Sequence, residues 1–175
     1  MRWIAFAILL YCVTVAQTTI APLLALHGVW PDFLTIVAVY YALAAAPADA
    51  MLACWVVGLA MDLTGASYQA HGNVGIGALS LGLIAVPLVK ARDLTFRDSI
   101  WTALVFSFIA KLALSLLVGV HMLYVTRTEG RFGEVATVGV YSAVYTAALA
   151  PYGHWILKQL RGLLGVGVSY RWGVR

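Results

Sequence analysis

Charge is what this chain has least of. Asp, Glu, Lys and Arg make up 10% of its 175 residues, and only seven of them are acidic. A soluble domain hydrates its surface with roughly a quarter charged residues, so a water-facing globule is excluded. Cysteine is almost as rare: Cys12 and Cys54 both fall inside apolar runs, which offers neither a disulfide framework nor a thiolate metal cluster. Other signals are missing as well. No glycine pattern follows a strand, no Ser has a His or Asp partner at triad or dyad spacing, and no basic stripe exists to track a phosphate backbone. The sequence therefore implies no enzyme, no cofactor, no metal and no nucleic-acid partner.

Hydrophobic residues fill that space, at 63% of the chain. With about 20 residues per membrane span, the length holds roughly six spans and no separate soluble domain. The expected fold is all-α, a polytopic helical bundle in one domain. Its spans are 3–25, 33–46, 50–63, 74–89, 99–124 and 135–157, followed by a basic, aromatic tail over 158–175. Arg2 and the apolar run behind it resemble a secretory signal, but the run continues past Ala16 to Ala25, which makes an uncleaved first helix the reading. A lipid-modified Cys12 is excluded because Tyr11 stands where a small residue is needed. The 33–46 run is short for a core about 30 Å thick, so it needs shielding by neighbours or a thinned bilayer, and five spans result if it does not cross. Pro47 and Asp49 break the chain before the third run.

Orientation follows the Lys and Arg bias. With the N-terminus cytoplasmic, that side holds Arg2, Lys90, Arg92, Arg97, Lys158, Arg161, Arg171 and Arg175, against Arg127 and Arg131 outside. Both termini are then cytoplasmic. Trp3, Trp101 and Trp155 lie at the inner interface, and Trp30 and Tyr124 at the outer one. The tail, with Tyr170 and Trp172, is expected to lie on anionic lipid.

Two ionisable residues fall well inside these spans, Asp62 and Lys111. A charge in hydrocarbon costs at least a few kcal/mol unless it is paired or hydrated, which makes each a functional-site candidate. In steps of four, the third span reads Ala50, Cys54, Gly58, Asp62 and the fifth reads Ala103, Ser107, Lys111, Ser115, Gly119. Small residues at this spacing mark faces where helices approach closely, so both charges are expected to point inward and to pair, directly or through Ser107 or Ser115. The competing reading makes Asp62 a turn residue ahead of Thr64 and Gly65 at the outer headgroups, with Lys111 snorkelling. His71 stands alone in the Gly-rich stretch 65–77 and lacks a second ligand at metal spacing. His121 and His154 lie toward opposite ends of their helices and share no site.

Two stretches, taken together, carry a family likeness. Pro31-Asp32-Phe33-Leu34 opens the second helix. Gly58-Leu59-Ala60-Met61-Asp62-Leu63-Thr64-Gly65-Ala66-Ser67, then Gly72-Asn73, precede the fourth. In order and spacing they resemble the rod shape-determining protein MreD family. That resemblance implies a non-enzymatic inner-membrane subunit of the bacterial elongation machinery, acting with MreC, MreB, RodA and a class B transpeptidase. It also implies a fold similar to the substrate-binding components of energy-coupling-factor vitamin transporters. Asp32 and Asp62 match the family's recurring acidic positions, where they would shape an interior pocket or a groove for MreC. Lys111 matches no family motif. A second function of a different class, a small-molecule binding subunit of a transporter, follows from the similar fold, although Ala21 and Ala25 are a weak match to the docking stripe such subunits carry. A third, a membrane enzyme acting on lipid-linked substrates, rests on Asp32, Asp62 and His71 sharing the outer side.

Overall fold

The computed structural model describes residues 1–64, 75–92, 99–125 and 132–166, and every regular element among them is helical. The first helix, α1 (Trp3–Thr19), stops short of the expected Ala25. Thr18 and Thr19 turn their hydroxyls back onto the carbonyls of Thr14 and Val15, and Pro22 has no amide with which to extend the ladder. A single 3₁₀ turn over Ala21–Leu24 follows. The chain then reverses through His27 and Gly28, both at positive φ, between mutual Leu26 and Val29 backbone bonds.

Helix α2 (Phe33–Ala44) lies at the centre, and every residue from Leu34 to Leu43 is buried. It touches α1, α3, α4, α5 and α6, so neighbouring helices supply the shielding its short apolar run requires. The next helix, α3 (Pro47–Thr64), begins at Pro47 instead of after it. A first-turn amide has no intrahelical partner to lose, so proline starts this helix where the sequence reading had it break the chain. Helices α4 (Ile76–Ala91), α5 (Ile100–Val125) and α6 (Phe132–Gln159) follow, with α7 (Arg161–Leu164) as one terminal turn. Among the described residues, α3 and the Ile100–His121 part of α5 are long and apolar enough to cross a membrane; α1, α2 and α4 are apolar but shorter.

Contacts at the helix ends give the bundle two distinct faces. At one, Arg2 donates its amide to the Leu164 carbonyl and the Met1 amine meets Asp49 at 3.3 Å. There too the buried Arg92 guanidinium donates to the Ala42 and Ala45 carbonyls, the unpaired C-terminal acceptors of α2. At the other, the Tyr145 hydroxyl donates to the Leu24 carbonyl at 2.9 Å. The twelve residues of α2 span only about 18 Å, whereas the 26 of α5 span about 39 Å. The N-terminus of α2 therefore stops partway along α5, and residues 30–32 form non-helical backbone inside the bundle.

Leu164 and Val166 are buried. The start of the expected 158–175 tail packs back beside the start of α1, and residues 167–175, with Tyr170 and Trp172, lie outside the described residues. The outward faces are apolar in turn. Ile4, Ile8 and Tyr11 of α1, Leu79 and Leu83 of α4, Ile109 and Leu116 of α5, and Tyr141 and Val144 of α6 are all exposed. Side chains of this kind around a whole bundle suit contact with hydrocarbon or other helices, not water.

Candidate functional site

Asp32 ends the non-helical segment and caps α2. Its Oδ1 accepts the Thr35 amide at 2.9 Å and its Oδ2 accepts the Thr35 hydroxyl at 2.8 Å, which satisfies one of the orphan amides that begin any helix. The same Oδ2 receives Lys111 Nζ from α5 at 2.6 Å, and both side chains are buried. The opposed charges, together with two hydrogen bonds from Thr35, let the carboxylate stay ionised away from water.

The backbone around Asp32 is held just as closely. The Asp32 amide donates to Thr146 Oγ1 of α6 at 3.0 Å. Gln17 of α1 works in both directions: its Nε2 donates to the Pro31 carbonyl at 3.0 Å and its Oε1 accepts the Phe33 amide at 2.7 Å. Ser142 donates to the Trp30 carbonyl at 3.2 Å. Helices α1, α2, α5 and α6 thus meet on one buried polar node, with Pro31 fully buried at its middle. A buried non-helical segment needs such partners, because its peptide groups have no helix of their own to satisfy them.

The second acid performs a different task. Asp62, 7% exposed near the end of α3, receives the amides of Gly75 at 2.9 Å, Gly77 at 2.9 Å and Ala78 at 3.0 Å. These open α4, whose own N-cap residue, Gly75 at φ 107°, has no side chain to offer. Asp62 therefore caps a neighbouring helix across space, with its negative charge on the positive end of that helix. Glycine at the crossing makes the reach short enough. A Cβ on Gly58 would collide with the Gly77 carbonyl oxygen and come within 2.7 Å of Ala78 Cα, and a Cβ on Gly77 would lie 2.5 Å from Asp62 Oδ1.

The expected Asp62–Lys111 pair is thus replaced by two separate arrangements, because the Asp62 face of α3 is turned to α4 while Lys111 of α5 reaches α2. Ala50, Cys54, Gly58 and Asp62 on one stripe, and Ala103, Ser107, Lys111, Ser115 and Gly119 on the other, are all buried. Ser107 and Ser115, one turn to either side of Lys111, bridge nothing: both hydroxyls are buried without a hydrogen-bond partner. Gly65 and His71 lie outside the described residues. Gln17, Thr35, Gly77, Arg92 and Thr146 were not singled out in the sequence. A signal did exist for two of them, since Asp32-x-x-Thr35 ahead of an apolar run is a capping pattern. Gln17 is likewise the one amide side chain inside the first apolar run.

Among the described residues no three His, Cys, Asp or Glu side chains gather where they could hold a metal ion. In comparisons with known proteins, no family model, no curated protein and no solved structure matches this chain.

Proposed function

We propose that this chain is a non-enzymatic scaffold of the bacterial inner membrane, an MreD-like subunit of the cell-elongation complex. In this reading it crosses the bilayer six times with both termini in the cytoplasm. It binds MreC, and through MreC or directly it engages MreB, RodA and a class B transpeptidase during peptidoglycan synthesis.

The observation that carries this reading is the use to which both acids are put. Asp32 locks α2 to α5, and Asp62 locks α3 to α4, so each carboxylate has its oxygens engaged by the protein itself. Such groups hold helices in register; they do not present an open carboxylate to a substrate. The outward apolar faces of α1, α4, α5 and α6 then remain for lipid or for partner helices, and intramembrane partners associate through packing of this kind.

Copurification tests the proposal. Extracted in mild detergent, the chain should retain MreC through size-exclusion chromatography. Loss of MreC from a protein that remains folded, together with recovery of a vitamin-sized molecule, would replace the scaffold with the transporter-subunit reading.

A further inference from the structure

The connection between α1 and α2, residues 20–32, stops well short of the outer ends of α5 and α6. Its Leu24 carbonyl accepts the Tyr145 hydroxyl at 2.9 Å, its Trp30 carbonyl accepts the Ser142 hydroxyl at 3.2 Å, and the Asp32 amide donates to Thr146 at 3.0 Å. These three partners sit in the middle of α6, ten to fourteen residues and so about 15–21 Å in from its start at Phe132. Asp32 likewise meets Lys111, which lies about 15 Å short of His121, where the long apolar stretch of α5 ends. With the Ile100–His121 stretch matched to a hydrocarbon core about 30 Å thick, the connection falls within the outer half of that core.

Two properties of the connection are those of chain in contact with hydrocarbon. Its side chains are apolar and bare: Leu23 is 84% exposed and Leu26 61%, with Ile20 and Leu24 exposed beside them. A patch of this kind on a turn is at odds with water. Its backbone, by contrast, is closed. The amides of Leu23 and Leu24 bond to the Ile20 carbonyl and that of Ala25 to Pro22, Leu26 and Val29 exchange two bonds, and Gln17 serves the Pro31 carbonyl and the Phe33 amide. A turn in water has no need of such closure, whereas non-helical backbone at membrane depth does. The tip is the exception. His27 and Gly28 are exposed, both at positive φ, and the two Leu26 and Val29 bonds engage neither of their peptide groups. Polar groups so placed need water or headgroups.

We propose that the outer leaflet is thinned over this connection, so that acyl chains lie against Ile20, Leu23 and Leu26 while phospholipid headgroups descend to His27 and Gly28. Around α5 the bilayer keeps its full thickness: the exposed Ile109, Leu116 and Val120 continue the apolar surface outward, and Val120 stands about 14 Å farther along the helix than Lys111. The chain thus carries an apolar belt of unequal height, and a bilayer accommodates the short side by thinning at modest cost. The proposal rests on the membrane-spanning reading and is independent of MreC.

Spin labels test it, because each reports its depth through collisions with oxygen, which concentrates in hydrocarbon, and with a water-soluble nickel chelate. The full chain carries Cys12→Ser, its remaining Cys54 is buried, and Leu23→Cys, His27→Cys, Ile109→Cys and Val120→Cys are labelled one at a time in vesicles of phosphatidylcholine and phosphatidylglycerol. All four sites are exposed, so labelling leaves the bundle intact. Labels at 23, 109 and 120 should collide severalfold more with oxygen than with the chelate, and the label at 27 should show the reverse. A leaflet of ordinary thickness over the connection places position 27 in hydrocarbon, and an oxygen-dominated label there overturns the proposal. A flat bilayer that ends at the connection leaves Val120 outside it, so a chelate-dominated label at 120 overturns the proposal too, as does one at 23. A chelate-dominated label at 109 defeats the membrane-spanning reading together with this one. Loss of MreC in the copurification, with the four depths as expected, defeats the scaffold reading alone.

Discussion

Lys111 Nζ lies 2.6 Å from Asp32 Oδ2, joining two helices whose contact residues are 79 positions apart in sequence. Removing either partner leaves the other charge buried and uncompensated, which costs about 3–5 kcal/mol for pairs of this type. Asp32→Asn preserves the capping oxygen and Lys111→Met preserves the side-chain length, so the two substitutions isolate the ion pair from the helix cap. Each single variant should be destabilised by about that amount, and the double variant by less than either single one. Unfolding in detergent, followed by the loss of helical circular dichroism, measures all three. Additive losses would show that the pair does not hold the bundle.

Asp62 makes the contrasting prediction. Two carboxylate oxygens serve three amides at the start of α4, and an Asn side chain offers only one acceptor oxygen. Asp62→Asn should cost about 1–3 kcal/mol. The loss should be local, seen as faster hydrogen exchange at Gly75, Gly77 and Ala78. Because Asp62 and Lys111 belong to separate clusters, Asp62→Asn combined with Lys111→Met should be additive to within about 0.5 kcal/mol. A coupling well beyond that would restore the direct pairing suggested by their similar depth.

That similar depth explains why the sequence identified the charges but mismatched the partners. Asp62 and Lys111 could be read as inward-facing, since Ala50, Cys54 and Gly58 precede Asp62 at intervals of four, and Ala103 and Ser107 precede Lys111. Counting 1.5 Å per residue from a common plane then places Asp62 and Lys111 within about 2 Å of the same level. Equal level is not adjacency, which depends on the neighbour each face turns toward, and spacing along one helix carries no such information. Asp32 entered only through the family likeness and was not matched to Lys111, because the short second run was read as starting at the outer side, whereas the N-terminus of α2 lies partway down the bundle beside Lys111. The capping role of Asp62 was hidden for another reason. Its partners are backbone amides, and a sequence does not mark those except through the glycines that let the chains approach.

Those glycines carry a prediction of their own. Gly58→Ala puts a methyl against the Gly77 carbonyl and Ala78 Cα, and backbone atoms cannot yield as a flexible side chain would. The α3–α4 crossing must open, lengthening the Asp62 hydrogen bonds at the same time, for a cost of about 1–3 kcal/mol. Gly133 is the internal control. It lies in α6 with no atom within 4 Å of an added Cβ, so Gly133→Ala should stabilise the helix by about 0.5–1 kcal/mol through propensity alone. Opposite signs for the two variants, measured as shifts in thermal midpoint, check the close approach. The same sign for both would rule it out.

The buried node around Pro31 separates hydroxyls that are used from those that are not. Thr146 accepts the Asp32 amide, and Gln17 satisfies both the Pro31 carbonyl and the Phe33 amide. Thr146→Val and Gln17→Leu preserve side-chain bulk but strand backbone groups in a segment with no helix to pair them, at about 1–3 kcal/mol per stranded group. Gln17→Leu strands two such groups and should be the worse variant. Ser107 and Ser115 are equally buried, yet their hydroxyls engage nothing. Ser107→Ala and Ser115→Ala should therefore be neutral or stabilising by a few tenths of a kcal/mol, since each removes an unsatisfied polar group and gains helix propensity. Thermal midpoints of the four purified variants give the ranking. A large loss at either serine would mean that its hydroxyl carries a contact to the ion pair, and Lys111 would then be held by more than Asp32.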